Sequence, residues 1–199
     1  SSKDAEQTAE EINSKTPFKI ASELLKINGR FIQISTDFVF DGKKSSPYKI
    51  EDKVSPLNVY GKSKSNGERL ISKLNNTTIV RTSWLYSPFG ENFCLTMLRL
   101  HKECSERNLP LKVVCDQFSC PTSTFTLSKL CWKLIQKERV LKQTEKMLHC
   151  SDAGIASWYD FAFAIGERMK YQSIACSSVL LLGFTFSFAV RGRIEILKR

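Results

Sequence analysis

An α/β fold, with a parallel sheet covered on both faces, is predicted by three observations. Helical and strand-like patterns alternate along most of the chain, and each main strand run follows a helical one. With 199 residues, 42% hydrophobic and 25% charged, the chain has the make-up of one ordinary globular domain with a real core.

Ala5 to Asn28 sets Ile12, Ile20, Leu24 and Leu25 at helical spacing among charges, and Asn28-Gly29 supplies the stop. Pro17, after Ser14 and Thr16, kinks this helix or restarts it. Phe31 to Ser35 is a β-rich run that ends at Thr36-Asp37, with Asp41-Gly42 as the next turn. Two further strands, Ile79 to Trp84 and Leu111 to Cys115, follow helical patterns at Asn58 to Leu74 and Asn92 to Glu106. Ser123 to Lys137 and Ser157 to Met169 read as amphipathic helices, with a strand at Met147 to Cys150 between them. The run Ile174 to Val190 carries no charge. At 17 residues it is at the lower limit for crossing a bilayer, which takes about 20, and a buried strand pair or a segment foreign to the fold explains it as well.

A formal charge of +10 and a pI near 9.3 favour anionic partners such as a nucleotide sugar, a phosphorylated dinucleotide or nucleic acid, and a lysine-rich solvated surface explains them too. No nucleic-acid recognition motif or aromatic-basic interleaving accompanies the charge, so no nucleic-acid partner is expected. Seven cysteines without a C-x-x-C read as reduced thiols of a cytoplasmic protein. Two histidines, His101 and His149, do not make a zinc site, and no metal is expected. The polar, acidic opening Ser1 to Glu11 is not a secretory signal, and a sequence without an initiator methionine is expected to be a fragment.

The chemistry-bearing pattern is Tyr60-Gly61-Lys62-Ser63-Lys64, a Y-x-x-x-K at the start of a predicted helix. Spacing of i and i+4 puts phenol and ammonium on one helical face. An ammonium beside a phenol favours the phenolate, which predicts a lowered tyrosine pKa and a proton available near neutral pH. Reduction of a ketone needs such a proton. The plainer alternative is a packed tyrosine beside a snorkelling lysine. Position favours chemistry, because the strand Phe31 to Ser35 delivers Ser35 and Thr36 to the sheet edge where α/β folds place ligands. Thr36 could bond the reacting carbonyl and Tyr60 together, or it could serve only the turn beside Asp37.

Several runs, taken in order, resemble the dTDP-4-dehydrorhamnose reductase family of extended short-chain dehydrogenases/reductases. They are Ile34-Ser35-Thr36-Asp37-Phe38-Val39-Phe40-Asp41-Gly42, then Ser46-Pro47-Tyr48, then Pro56-Leu57-Asn58-Val59-Tyr60-Gly61-Lys62-Ser63-Lys64. Arg81-Thr82-Ser83-Trp84-Leu85-Tyr86, Gly90-Glu91-Asn92-Phe93, Asp116-Gln117 with Pro121-Thr122, and Ser157-Trp158-Tyr159-Asp160-Phe161-Ala162 continue the likeness, which runs from about Asn13 to Glu167.

The resemblance implies a partial Rossmann-like, doubly wound parallel sheet with a small substrate-binding region. It implies reduction of dTDP-4-dehydro-L-rhamnose to dTDP-L-rhamnose with NADPH or NADH. Tyr60 would be proton donor, Lys64 would tune it and bind the nicotinamide ribose, and Thr36 would assist at the sugar carbonyl. Thr36, Asp37 and Trp84 would contact the dTDP-sugar, although Trp84 also reads as a core aromatic. Asn92, Gln117 and Thr122 fall in matching loops of the substrate pocket, and Asn13 matches an asparagine that orders water. The implied organisation is 1–90 for the remainder of the dinucleotide domain, 91–173 for sheet completion and substrate binding, and 174–199 as a tail outside the pattern. A homodimer is compatible with the family, and a membrane partner is not expected.

Two departures from the family accompany the likeness. The nine glycines never form the G-x-x-G-x-x-G turn that receives a cofactor pyrophosphate, so an amino-terminal truncation is expected, with Phe31 to Ser35 left as a sheet edge. After Met169 the family's proline-rich closing segment is replaced by the apolar run, so an aberrant carboxyl end is expected too. A non-catalytic binding protein, resembling the regulatory subunit of methionine adenosyltransferase, is the alternative function, and Thr36, Tyr60, Lys64 and Trp84 together count against it.

Overall fold

A computed structural model describes residues 2–136, 146–171 and 174–177. The chain divides into two compact units, the first made of Ser1–Asp41, Lys49–Thr82 and Lys129–Cys150, the second of Gly42–Tyr48, Ser83–Ser128 and Ser151–Arg199.

The first unit opens with α1 (Ser2–Glu10), a π turn (Glu11–Lys15) and α2 (Thr16–Lys26). Pro17 therefore restarts the helix: it lies in the first turn of α2, and the ladder widens to the π turn just before the residue that lacks an N–H. Asn28 takes a left-handed φ of 55° and Gly29 N donates back to Leu24 O at 2.7 Å, which ends the helix. Strand β1 (Phe31–Thr36) follows, then a 3-10 turn (Asp37–Val39), α3 (Val59–Ile71) and β2 (Thr77–Thr82). With β7 (Met147–His149), these strands form a parallel sheet of order β1-β2-β7. All six residues of β2, the middle strand, are buried, as a strand covered on both faces requires. Ala21, Val39, Phe40, Ile71, Ile79, Val80 and Cys150 form the buried apolar set of this unit. Among the described residues β1 pairs with β2 alone, so it is the expected edge strand.

β2 ends two residues before the predicted boundary because Trp84 adopts φ 41°, outside extended backbone. Beyond it the second unit holds β3 (Leu85–Tyr86), α4 (Phe93–Glu106), β4 (Leu111–Val114), β5 (Phe118–Ser119), β6 (Thr122–Ser123) and the start of α5 (Thr124–Gln136). β8 (Ala156–Ser157), α6 (Trp158–Arg168) and β9 (Ile174–Ser177) complete it. β3 pairs with β6 and β4 with β9 in parallel, whereas β5 and β8 are antiparallel. Strands of two residues carry too little pattern to be read from the sequence. Met97, Leu111, Val113, Ala162 and Ile165 form the core of this unit.

Of the apolar run, residues 174–177 form β9, and residues 178–190 lie outside the described residues, as does most of the tail. No described helix is long and apolar enough to cross a membrane. The expectation of seven reduced thiols is corrected at Cys115, which is disulfide-bonded, while Cys94, Cys104 and Cys131 are free.

Candidate functional site

In the first unit the structure brings together Thr36, Asp37, Tyr60 and Lys64. Asn58 caps α3 by accepting from Gly61 N at 2.7 Å, which sets Tyr60 in the first turn of the helix. Two glycines let α3 lie close against its neighbours: a Cβ on Gly61 would collide with the Phe38 carbonyl, and one on Gly67 with the Asn13 carbonyl. Gly61 thereby seats the start of α3 against the turn that follows Thr36. Asn13 Nδ2 donates to Ser63 Oγ at 3.1 Å, and Ser63 Oγ donates to Tyr60 O at 2.9 Å, so Asn13 braces the turn that carries the phenol.

Thr36 Oγ1 donates to Asp37 Oδ1 at 3.1 Å and accepts from Phe38 N at 3.2 Å. The same hydroxyl is near enough to the Tyr60 phenol to favour its ionised form. The Tyr60 side chain stands 45% exposed, edge-on to Phe38 with ring centroids 6.0 Å apart. Partial burial lifts its pKa above the ordinary tyrosine value, the Thr36 hydrogen bond pulls it down, and the Asp37 carboxylate pushes it up. This corrects the expectation of a phenol lowered by Lys64. The ammonium lies over the ring, 5.8 Å from its centroid, and donates to Ile34 O at 3.2 Å.

That carbonyl belongs to the open side of β1. Phe31 N bonds Asn76 O, so in a parallel ladder alternate residues 31, 33 and 35 face β2 and residues 32, 34 and 36 face outward. Lys64 therefore satisfies an edge carbonyl while reaching toward the strand end. Burial lowers the lysine pKa, and the negative charge of Glu68 partly restores it.

Glu68 is a site residue that the sequence reading missed. It stands one further turn along α3 and continues the i, i+4 ladder from Tyr60 and Lys64, which is the signal that could have found it. Its Oε1 accepts from Ser35 Oγ at 2.6 Å and from Arg81 Nε at 2.9 Å, and Oε2 accepts from Arg81 Nη2 at 2.7 Å. A second omission is Thr82, paired across the ladder with Thr36 at the carboxyl end of the sheet. Its hydroxyl is buried without a partner among the described residues.

The other four predicted residues lie in the second unit. Trp84 stacks on Trp158 with ring centroids 3.4 Å apart and planes at 8°. Gln117 Oε1 accepts from Trp158 Nε1 at 3.2 Å. Asn92 caps α4, accepting from Leu95 N at 3.2 Å and donating to Ser87 O at 2.9 Å. Thr122 is fully buried, its hydroxyl donating to Cys120 O at 2.9 Å and its N–H to Trp84 O at 3.1 Å.

Hydroxyls at the carboxyl end of a parallel sheet, with a Y-x-x-x-K helix next after its edge strand, define a partial Rossmann-like fold of the short-chain dehydrogenase/reductase class. More narrowly, the chain belongs to the RmlD substrate binding domain family, whose profile it matches over residues 2–181. It is 41% identical over 167 residues to the spore coat polysaccharide biosynthesis protein SpsK of Bacillus subtilis, an alignment covering 83% of this chain and 56% of that protein. A crystal structure of a dTDP-4-dehydrorhamnose reductase from Clostridium acetobutylicum is similar at TM-score 0.83 and 34% identity, over 94% of this chain and 65% of the other. The dTDP-4-dehydrorhamnose reductase of Bacillus anthracis, solved in complex with NADP, is similar at TM-score 0.75 and 33% identity, over 84% and 57%. The chain spans about half the length of the curated relatives it matches.

Proposed function

We propose that this chain supplies the proton-transfer and sugar-binding part of a reductase that converts dTDP-4-dehydro-L-rhamnose to dTDP-L-rhamnose. The single observation that carries the reading is the Lys64 ammonium over the Tyr60 ring, with the Thr36 hydroxyl beside that phenol at the carboxyl end of the sheet. The names of similar proteins, reductases of that keto-sugar, support the choice of substrate.

The residues fit the ribose end of a nicotinamide cofactor. Lys64 has donors beyond the one it gives Ile34, and the orphaned Thr82 hydroxyl can meet a polar ligand atom. The sequence holds no glycine-rich turn for the pyrophosphate. NADPH or NADH, when bound, supplies the hydride for the keto carbon. Lys64 would hold the ribose. Thr36 donates to the carbonyl oxygen and keeps it within reach of Tyr60, which gives up its proton as the oxygen gains charge. The Thr36 hydroxyl has one proton, so its bond to Asp37 Oδ1 gives way when it donates to the carbonyl. In the second unit, Trp84 offers an indole face suited to a nucleotide, and Asn92, Gln117 and Thr122 build the loops of that unit.

The test is cofactor oxidation by the purified chain supplied with NADPH and the keto-sugar. Turnover that falls at least about 100-fold in Tyr60→Phe is expected for a lost general acid. Folded protein that binds the keto-sugar yet consumes no cofactor, with Tyr60→Phe indistinguishable, would favour the non-catalytic reading.

A further inference from the structure

The segment 117–122 touches two indoles that are far apart in sequence. On one side Ser83 Oγ donates to Cys120 O at 2.8 Å and Thr122 N donates to Trp84 O at 3.1 Å, which ties the backbone around Trp84 to this segment. On the other side β5 pairs antiparallel with β8, Phe118 opposite Ser157. One step further along that ladder brings Gln117 level with Trp158, and their side chains bond at 3.2 Å. The start of α6 is fixed as well: Ser157 and Asp160 form a reciprocal capping box around the turn that begins with Trp158.

Trp158 is therefore held at three points, and it lies flat on Trp84 at 3.4 Å and 8°. Phe93 also packs on it at 4.2 Å, with Phe161 beyond at 5.5 Å from Phe93. Trp84 is the half-buried end of this aromatic column and meets no second ring among the described residues. It also stands at φ 41°, a conformation that L side chains adopt only when their surroundings impose it.

We propose that Trp158 and Gln117 are positioning residues for Trp84: they clamp one indole face and hold its strained backbone so that the other face is presented to the sugar nucleotide. The clamp assigns Gln117 a task other than touching ligand. Its ligand arm rests on the proposed function, whereas the clamp itself can be tested without turnover.

Two tryptophans stacked this closely couple their ultraviolet transitions and give a paired positive and negative band in circular dichroism. Trp132, the third tryptophan, is 62% exposed, so Trp132→Phe leaves the pair alone. In that background the paired band is expected, lost in Trp158→Leu and in Trp84→Leu, and weakened in Gln117→Leu, which keeps both indoles. Thymidine diphosphate, titrated against intrinsic fluorescence, is expected to bind about tenfold more weakly to Trp158→Leu. Trp158→Phe, which keeps a ring but no exciton partner, should return affinity to within about threefold. The far-ultraviolet helix band reports that each variant is folded. Absence of the paired band in Trp132→Phe, or its persistence at full strength in Gln117→Leu, overturns the clamp. Wild-type affinity in folded Trp158→Leu overturns it as well. A protein that shows the band and its weakening in Gln117→Leu, yet binds no thymidine diphosphate, upholds the clamp and defeats the proposed function.

Discussion

Arg81 holds Glu68 through two nitrogens, Nη2 to Oε2 at 2.7 Å and Nε to Oε1 at 2.9 Å, with both side chains buried. The pair joins β2 to α3, and Ser35 bonds the same carboxylate from β1. Every element that carries a candidate catalytic atom is thus fastened to one carboxylate. Arg81 also lies 5.0 Å from the centre of the Phe40 ring, and its Nη1 reaches Ile50 O at 3.4 Å.

A buried ion pair is weak evidence for stability when both partners are replaced together, but breaking it strands a charge. Glu68→Leu alone is expected to cost about 3–5 kcal/mol in urea unfolding, because the guanidinium keeps its burial and loses its partner. Glu68→Leu with Arg81→Leu should cost clearly less than the sum of the two single changes. Additive costs in that double-mutant cycle would show that the two side chains act independently.

The second expectation concerns pH. Burial and the Asp37 carboxylate outweigh the Thr36 hydrogen bond, so Tyr60 ionises above the ordinary tyrosine value near 10 in the ligand-free protein. A raised pKa means that folding holds the phenolic proton more tightly. The corresponding stability is complete below the ordinary value and is lost as pH climbs through the raised one. Ultraviolet difference titration against Tyr60→Phe reads the site directly. Thr36→Val should move the midpoint further up, since it removes the interaction that favours phenolate. Asp37→Asn should move it down. A midpoint that falls in Thr36→Val would mean that the hydroxyl does not stabilise the phenolate.

How much of this was legible in the sequence depends on the range of the interaction. The four main helices after Pro17 and the strands β1, β2, β4 and β7 follow from spacing and punctuation, which act within a few residues. Tyr60 and Lys64 were readable because i and i+4 fix their common face. The sign of the Tyr60 shift was not, because proximity in a helix does not say whether the ammonium meets the phenol oxygen or the ring, and here it meets the ring. The pair Trp84 and Trp158 was invisible for another reason. It depends on a left-handed residue and on two-residue strands, neither of which leaves a periodic trace.

Third, the two glycines of α3 are set there by packing rather than by helix preference. Alanine is the better helix former by about 1 kcal/mol, so an exposed site would gain from Gly→Ala. At Gly61 and Gly67 the added carbon meets the carbonyls of Phe38 and Asn13, which are backbone and cannot rotate away. Each substitution is expected to destabilise by about 1–3 kcal/mol net, as overpacking does. Gly61→Ala should also displace the first turn of α3 from the 3-10 turn, and so shift the Tyr60 titration. Gly67→Ala acts a turn and a half away and should leave that titration closer to wild type. Calorimetry combined with the phenol midpoint separates the two effects.

Fourth, Asp152 links the start of α5 to the ring environment of Tyr86 in the second unit. Its carboxylate accepts from Ser123 N at 2.8 Å and from Thr126 Oγ1 at 2.6 Å, satisfying donors at the helix start in the manner of a cap. Tyr86 is raised above the ordinary tyrosine value first by burial and then by the Asp152 charge, with Cys94 a smaller cause. Asp152→Ala should therefore do two things that a simple loosening of the loop would not do together. It should cost about 1–2 kcal/mol of stability through the lost cap, and it should lower the Tyr86 midpoint toward the ordinary value. Asp152→Asn keeps an acceptor for one donor while removing the charge, so it should recover part of the stability and still lower the midpoint. If Asp152→Asn left Tyr86 where it is in wild type, burial and Cys94 would account for the shift, and the carboxylate would act only as a cap.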